Sequence, residues 1–376
     1  MTPGLKLGFL GGGVNSAIGH VHEIACRMDL RFDLVAGCFS RHADVNRHTA
    51  DAYAIDPARL YSDLDALLKA EAGNLDALAI LTPPDQHADQ IIAALDAGLP
   101  VICEKPLATS AAESARVRAA LERTGGFLGV TYNYLAYPMI RELKSVIESG
   151  QLGEIRQIMA EMPQEGFLRL RPDDTPMTPQ DWRRRDYTIS TVTLDLGAHL
   201  HMFVNFLTGR APESVAATAA TFGNFPGIVD TLSAIAKYEG GLHVNMWLTK
   251  AALGQRNGLR LRVCGSEGTA EWFQLEPETL GFADRHGRRW TLDRGHPDSQ
   301  IASQPRYTRF KTGHPAGFIE AFANCYADLA DAIHAHKAGN PAPAPYVVGI
   351  GPADEGMRFL EAMTQAASRG EWMDVT

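Results

Sequence analysis

Three groups of residues have the types and spacing to do chemistry. Glu104-Lys105-Pro106 closes an apolar run that starts at Val101, so an acid and a base stand side by side where a strand ends. Reactive groups of a parallel α/β sheet collect there, because ligands bind outside the carboxyl ends of the strands. Asp195 and His199 are four residues apart, and on a helix they share one face and can point at one reacting centre. Gly11-Gly12-Gly13-Val14-Asn15-Ser16-Ala17-Ile18-Gly19 joins a strand-like run to a helical pattern through Ile24, Ala25 and Met28. In that context Gly11 permits a tight turn, Gly13 lets the backbone approach a pyrophosphate, and the helix N-terminus faces its charge. Each group alone has a plainer alternative: a solvated ion pair, a capping Asp with a core histidine, a glycine turn.

The elements needed to position these groups are present in order. Apolar runs at 5–10, 32–39, 76–81, 101–104 and 127–131 alternate with helical patterns over the first 130 or so residues, with a short strand expected near 60–61. That rhythm implies a doubly wound parallel sheet. The usual third glycine of the loop is displaced: Ser16 holds its place and Gly19 follows three residues later, which lengthens the loop. The second strand ends at Ser40-Arg41 rather than at the acid that accepts from the adenosine ribose, and an arginine there can meet a 2′-phosphate. The third stops at Thr82-Pro83, with His87 just beyond, and Thr109-Ser110 caps the helix after the fourth.

After Asn133 the rhythm changes. A helix is expected over 138–149, a strand over 155–162, and a long loop over 163–179, rich in proline and charge. Trp182-Arg183-Arg184-Arg185-Asp186 is a dense basic patch. It fits a solvated face, a cofactor phosphate, or an anionic group of a substrate gripped by guanidinium forks. Strand patterns at 213–222, 231–238, 242–249, 259–264 and 269–273, joined by glycine turns, point to a mostly antiparallel sheet. His314 precedes a long helix over 318–338, where it either reaches the site or caps and faces solvent. A proline-alanine linker at 341–345 leads to a last helix over 352–369.

Together these residues resemble the glucose-fructose oxidoreductase / inositol dehydrogenase / rhizopine catabolism (Gfo/Idh/MocA) family. The matching pieces are the glycine loop with His22 after it, Thr82-Pro83 with His87, Glu104-Lys105-Pro106, Trp182-Arg183, and Asp195-Leu196-Gly197-Ala198-His199, in the family's order over nearly the whole chain. The resemblance implies a dinucleotide-binding domain over 1–134 and an α+β substrate and oligomerisation domain over 135–376. The second carries a large open sheet, and the 352–369 helix packs back on the first. It implies NAD or NADP as cofactor, with Ser40-Arg41 leaning to NADP. The expected cofactor set is Gly11, Gly13, Asn15, Ser16, Ser40, Arg41, Thr82, Pro83, His87, Glu104, Lys105, Asn133, Trp182 and Arg183. The expected substrate set is Lys105, Arg183, Asp195, His199 and His314, with no metal.

The implied reaction is hydride transfer at a secondary alcohol or ketone carbon of a sugar, sugar derivative or polyol. His199 is the base, Lys105 the positive donor, and Asp195 an orienting carboxylate. Two other functions stay open: a redox-neutral NAD-dependent glycoside-cleaving enzyme and a non-catalytic dinucleotide-binding regulator. The chain departs from the family pattern where Ile189 to Thr193 replace glycines and Met202 replaces an acid, and His201 is an extra candidate.

Composition agrees with two soluble domains: 376 residues, 45% hydrophobic and 21% charged, with a net charge of −9 that disfavours nucleic acid. No apolar run approaches the roughly 20 residues needed to span a bilayer. Five scattered cysteines and an N-terminus without a basic leader suggest the cytoplasm. The expected partners are a carbohydrate, anionic ones included, and a second copy of the chain in a homodimer or homotetramer.

Overall fold

The computed structural model describes residues 4–340 and 344–376, so residues 341–343 of the expected proline-alanine linker lie outside the described residues. The chain forms two compact units, Met1–Ala136 with Phe318–Asp354, and Tyr137–Gly317 with Glu355–Thr376.

The first unit is built on a five-stranded parallel sheet: β1 (Leu5–Gly11), β2 (Phe32–Cys38), β3 (Ala77–Leu81), β4 (Val101–Glu104) and β5 (Leu128–Thr131), in the order β2-β1-β3-β4-β5. All five residues of β3 and all four of β4 are buried, as expected for strands covered on both faces. The expected strand near 60–61 is only a single bridge from Leu60 to Gly37, beside a short 3-10 turn. Ser110 caps the helix Ala111–Thr124 by accepting from the Glu113 amide, while the Glu113 carboxylate accepts from the Thr109 amide, and Gly125 ends it at φ +62°.

The helix Phe318–Lys337 returns to this unit. Its Phe322, Tyr326, Leu329 and Ile333 enter the same core as Leu7, Phe9 and Phe32 of the sheet. The later helix, Ile350–Arg369, begins in the first unit and has most of its length in the second.

The second unit holds a nine-stranded sheet. Its strands are β6 (Ile155–Pro163), β7 (Pro212–Ala220), β8 (Thr231–Tyr238), β9 (Leu242–Thr249), β10 (Arg260–Gly265), β11 (Gly268–Phe273), β12 (Thr279–Asp284), β13 (Arg289–Asp293) and β14 (Met373–Asp374). The order is β13-β12-β11-β10-β6-β9-β8-β7-β14, antiparallel except for the parallel β6–β9 pair at its centre. Strand β8 alternates buried and exposed residues along its length, so one face meets the core and the other is open. The helices Pro138–Glu148 and Ala198–Thr208 cover the buried face, where Trp272 packs against Phe203 and Tyr137. Strands β12, β13 and β14 go beyond the sequence expectation: β13 buries Leu292 alone, and β14 is two residues long. Among the described residues no helix is long and apolar enough to cross a membrane.

Candidate active site

In the first unit parallel pairing brings the ends of successive strands into one row. Gly11 pairs with Leu81, so the glycine loop and Thr82 leave the sheet together; Glu104 pairs with Thr131, so Lys105 and Asn133 do the same. Ser40 and Arg41 follow β2 at the same edge, with the Ser40 amide donating to the Asn46 Oδ1 and Arg41 exposed. Strand order reverses between β1 and β3, the topological switch point at which doubly wound folds bind ligands.

The loop itself is made by close backbone approach. Gly11 sits at φ +83°, and a Cβ there would lie 2.9 Å from the Leu81 carbonyl. The displaced glycine opens the helix Gly19–Met28, and a Cβ on Gly19 would fall 2.1 Å from the Gly12 carbonyl oxygen. Gly19 therefore provides the close helix-to-loop packing, one turn later than usual. Asn15 is exposed on the loop, and the Ser16 hydroxyl accepts from the amides of Ile18 and Gly19.

Around Lys105 the supports are buried. Glu104 Oε1 lies 3.2 Å from His22 Nε2 and accepts from the Thr131 hydroxyl, while His22 Nδ1 meets the Tyr326 hydroxyl at 2.8 Å. Burial by itself would raise the Glu104 carboxyl. The hydrogen bond and charge of His22, the charge of Lys105 and the Thr131 hydrogen bond outweigh it, and the group is held below its ordinary value.

His87 spans the Thr82 and Pro106 carbonyls, each at 2.8 Å, and so ties the loop after β3 to the one after Lys105. Burial pushes its imidazole down, only partly opposed by those two carbonyls and by Glu104 and Asp85. His87 is thus an internal brace rather than an open contact. Pro83 is exposed, and the Thr82 hydroxyl donates to Gln90.

In the second unit Asp195 lies in a π-helical turn, Thr193–Gly197, which runs directly into the helix Ala198–Thr208 bearing His199. Such insertions recur at functional sites. The departures at 189–193 build the start of this helical stretch: Asp186 accepts from the Thr191 amide at 2.7 Å, and the Ser190 and Thr193 hydroxyls meet at 2.7 Å.

Asp195 and His199 are both buried. Arg183 reaches Asp195 twice, Nε to Oδ2 at 2.9 Å and Nη2 to Oδ1 at 3.3 Å, while its guanidinium stacks over Trp182 at 4.4 Å. The Trp182 indole donates to Gln180, and Arg184 and Arg185 stay exposed. His314 is exposed on a loop whose carbonyl is held by Arg294. His201 is packed between Tyr238 and Phe359, and burial pushes its imidazole down to about 3. It is a neutral core residue, so the extra histidine does not join the candidate site.

Comparison with known proteins fits this geometry. Residues 5–132 match the model of the oxidoreductase family with an NAD-binding Rossmann fold, and residues 140–271 match the Gfo/Idh/MocA C-terminal domain. The chain belongs to the Gfo/Idh/MocA oxidoreductase family. An uncharacterized oxidoreductase of Bacillus subtilis is 29% identical over 98% of this chain and 96% of its own. The inositol 2-dehydrogenase of Rhizobium meliloti is 28% identical over 75% of this chain and 80% of its own. The inositol dehydrogenase homolog of Azotobacter vinelandii, solved with NADH and myo-inositol, superimposes with a TM-score of 0.91 at 29% identity, covering 100% of this chain and 98% of that one.

The family binds NAD, and the residues present fit a dinucleotide. Besides the glycine cradle, the Asn133 side-chain nitrogen is buried and has no hydrogen-bond partner, at the strand-end row where such a ligand binds. One residue of the second unit is absent from the candidates that sequence alone supplies. Lys250, buried just past β9, places its Nζ 2.6 Å from Asp195 Oδ2. A lysine after a strand is an ordinary feature of sequence, and nothing local marks this one.

Proposed function

We propose that this oxidoreductase transfers a hydride between NAD(P) and a secondary alcohol or ketone carbon of a sugar, sugar derivative or polyol. The observation that carries the reading is the row of strand ends in the first unit, in which Lys105 stands between Glu104, held by buried His22, and Pro106, whose carbonyl meets buried His87. Gly11, Gly13, Asn15 and Ser16 would hold the pyrophosphate, Ser40 and Arg41 the adenosine ribose, and Thr82, Pro83, Glu104, Lys105 and Asn133 the nicotinamide end. A bound nicotinamide supplies hydride acceptance and donation. His199 takes the hydroxyl proton, Lys105 stabilises the developing alkoxide, and Asp195 accepts hydrogen bonds as a fixed carboxylate.

The substrate class rests on relatives that act on or are solved with polyols. Arg183 next to Asp195 keeps sugar acids among the candidates. Arg41 leans the reading to NADP, whereas the Azotobacter structure carries NADH.

The test is mass spectrometry of nucleotide released from purified protein, then thermal-shift titration with NAD and NADP. A screen of polyols and sugar acids for reduced cofactor follows, beginning with myo-inositol. Stabilisation by one dinucleotide and accumulation of reduced cofactor are expected. Absence of binding by either would overturn the reading, and cleavage of a glycoside without net reduction would move it to redox-neutral chemistry.

The open face of the nine-stranded sheet exposes Met159, Ile235, Trp247 and Trp372. That apolar surface supports pairing with a second copy of the chain, to be read by sedimentation equilibrium.

A further inference from the structure

The backbone of Lys250 is fixed on both sides: its amide donates to the Asp230 carbonyl and its carbonyl accepts from the Phe167 amide, each at 2.8 Å. Its ammonium is fixed as well, by Asp195 Oδ2 at 2.6 Å and Gln164 Oε1 at 3.2 Å. A chain of amides continues from there. Gln164 Nε2 donates to Asn257 Oδ1 at 2.9 Å, Asn257 Nδ2 to Gln274 Oε1 at 3.1 Å, and Gln274 Nε2 to the Tyr137 hydroxyl at 3.1 Å. An ammonium can only donate, so Gln164 must turn its oxygen toward Lys250 and its nitrogen toward Asn257. The same choice passes to Asn257 and Gln274. The charge on Lys250 thereby orients three amides in one direction, and aligned hydrogen bonds of this kind polarise one another.

We propose that Lys250 is a positioning residue of the site: with the Gln164–Asn257–Gln274 amide chain behind it, it fixes the Asp195 carboxylate from the sheet side. Arg183 grips the same carboxylate from the 181–184 turn, where its side chain is 25% exposed, whereas the Lys250 side chain is 6% exposed. The two cations thus come from supports of different kinds, a surface turn and a strand end. A buried ion pair is weak evidence for stability, because apolar replacements of similar volume are often as stable. The ammonium is better explained by what it does to Asp195: it shares Oδ2 with Arg183 Nε, sets a second positive charge against the carboxylate, and so assigns Asp195 to accepting hydrogen bonds rather than to taking a proton. The role rests on the reading of Asp195 as a group of the site.

The experiment follows the Asp195 carboxyl directly in the full chain, by carbon NMR of aspartate-labelled protein, with Asp195→Asn identifying the signal. Removing a neighbouring positive charge should make the carboxyl titrate at higher pH, by about one unit or more in Lys250→Met. Lys250→Arg should keep the wild-type titration. A thermodynamic cycle of Lys250→Met, Asp195→Asn and the double variant should show coupling of about tenfold or more in the unfolding equilibrium. If Lys250→Met does not fold, Gln164→Leu keeps the ammonium but removes its support, and should shift the Asp195 titration in the same direction by a smaller amount. An unchanged titration in the folded variant, or additive unfolding effects, overturns the proposal. None of these readouts needs a substrate. Loss of coupling with turnover intact would therefore count against Lys250 alone, and intact coupling without turnover would count against the sugar-oxidation reading alone.

Discussion

Nε2 of His22 lies 3.2 Å from Oε1 of Glu104, with both side chains buried, and the contact sits one residue before Lys105. The Glu104 carboxyl is held below its ordinary 4.5, because its hydrogen bonds and neighbouring charges outweigh its burial. A carboxyl lowered by folding stabilises the protein above its unfolded value, and that contribution is lost as pH falls through the lowered folded value. Urea unfolding of the wild type and Glu104→Gln should therefore differ most near pH 7, and the gap should close below about pH 4. A gap that widened on acidification would show that the carboxylate is not stabilised by its partners.

Gly19→Ala should cost about 1–3 kcal/mol, since a methyl 2.1 Å from the Gly12 oxygen must displace the loop or the helix. Because the displaced backbone is the cradle itself, the stabilisation seen on adding NAD should fall with it. Thermal melts with and without dinucleotide read both effects, and an unchanged dinucleotide shift would remove the loop from the binding reading.

Lys105→Met and His199→Ala should each lower turnover by about 10²–10⁴-fold once a substrate is found, the usual range for a positioned proton-transfer or charge-stabilising group. Dinucleotide binding should survive in both, as measured by quenching of intrinsic fluorescence. Normal turnover in either variant would reassign that residue.

His201 gives the opposite pH signature to Glu104 in origin, though the same direction in effect. Its folded value is about 3, depressed by burial, against about 6.5 in the unfolded chain. Between those values the unfolded chain takes up a proton that the folded one refuses, so stability declines as pH falls through that window. His201→Phe gives up the 3.1 Å contact to the Tyr238 hydroxyl and should cost about 1 kcal/mol at pH 7. Near pH 4.5 the variant should close that gap or exceed the wild type. Calorimetric melts at the two pH values decide it, and a pH-independent difference would mean that His201 is not held neutral by the core.

Much of the first unit was legible because its signals are local. The glycine spacing, each strand or helix pattern and the abrupt Glu104-Lys105 at a strand end are each written within a short stretch of chain. Parallel pairing then places their ends at one edge without further information. The return of Phe318–Lys337 to that unit was not legible, since its apolar stripe states only that the helix is buried, not which core receives it. Strand β13 escaped for a related reason. Paired with β12 in a sheet, a segment such as Arg289–Asp293, in which Leu292 alone is buried, needs little apolar alternation of its own.

The sequence by itself determined the dinucleotide-binding architecture, the family, and the candidates Lys105, Asp195 and His199, because these depend on backbone conformation and spacing along a short stretch of chain. Only the tertiary structure decided what surrounds them: Gly19 taking up the third glycine's packing, His87 turned inward as a brace, His201 confined to the core, and Arg183 and Lys250 converging on Asp195. Pairs such as Lys250 with Asp195 and His201 with Phe359 are far apart in the chain, and charge pairing over a few ångströms leaves no periodic trace in sequence.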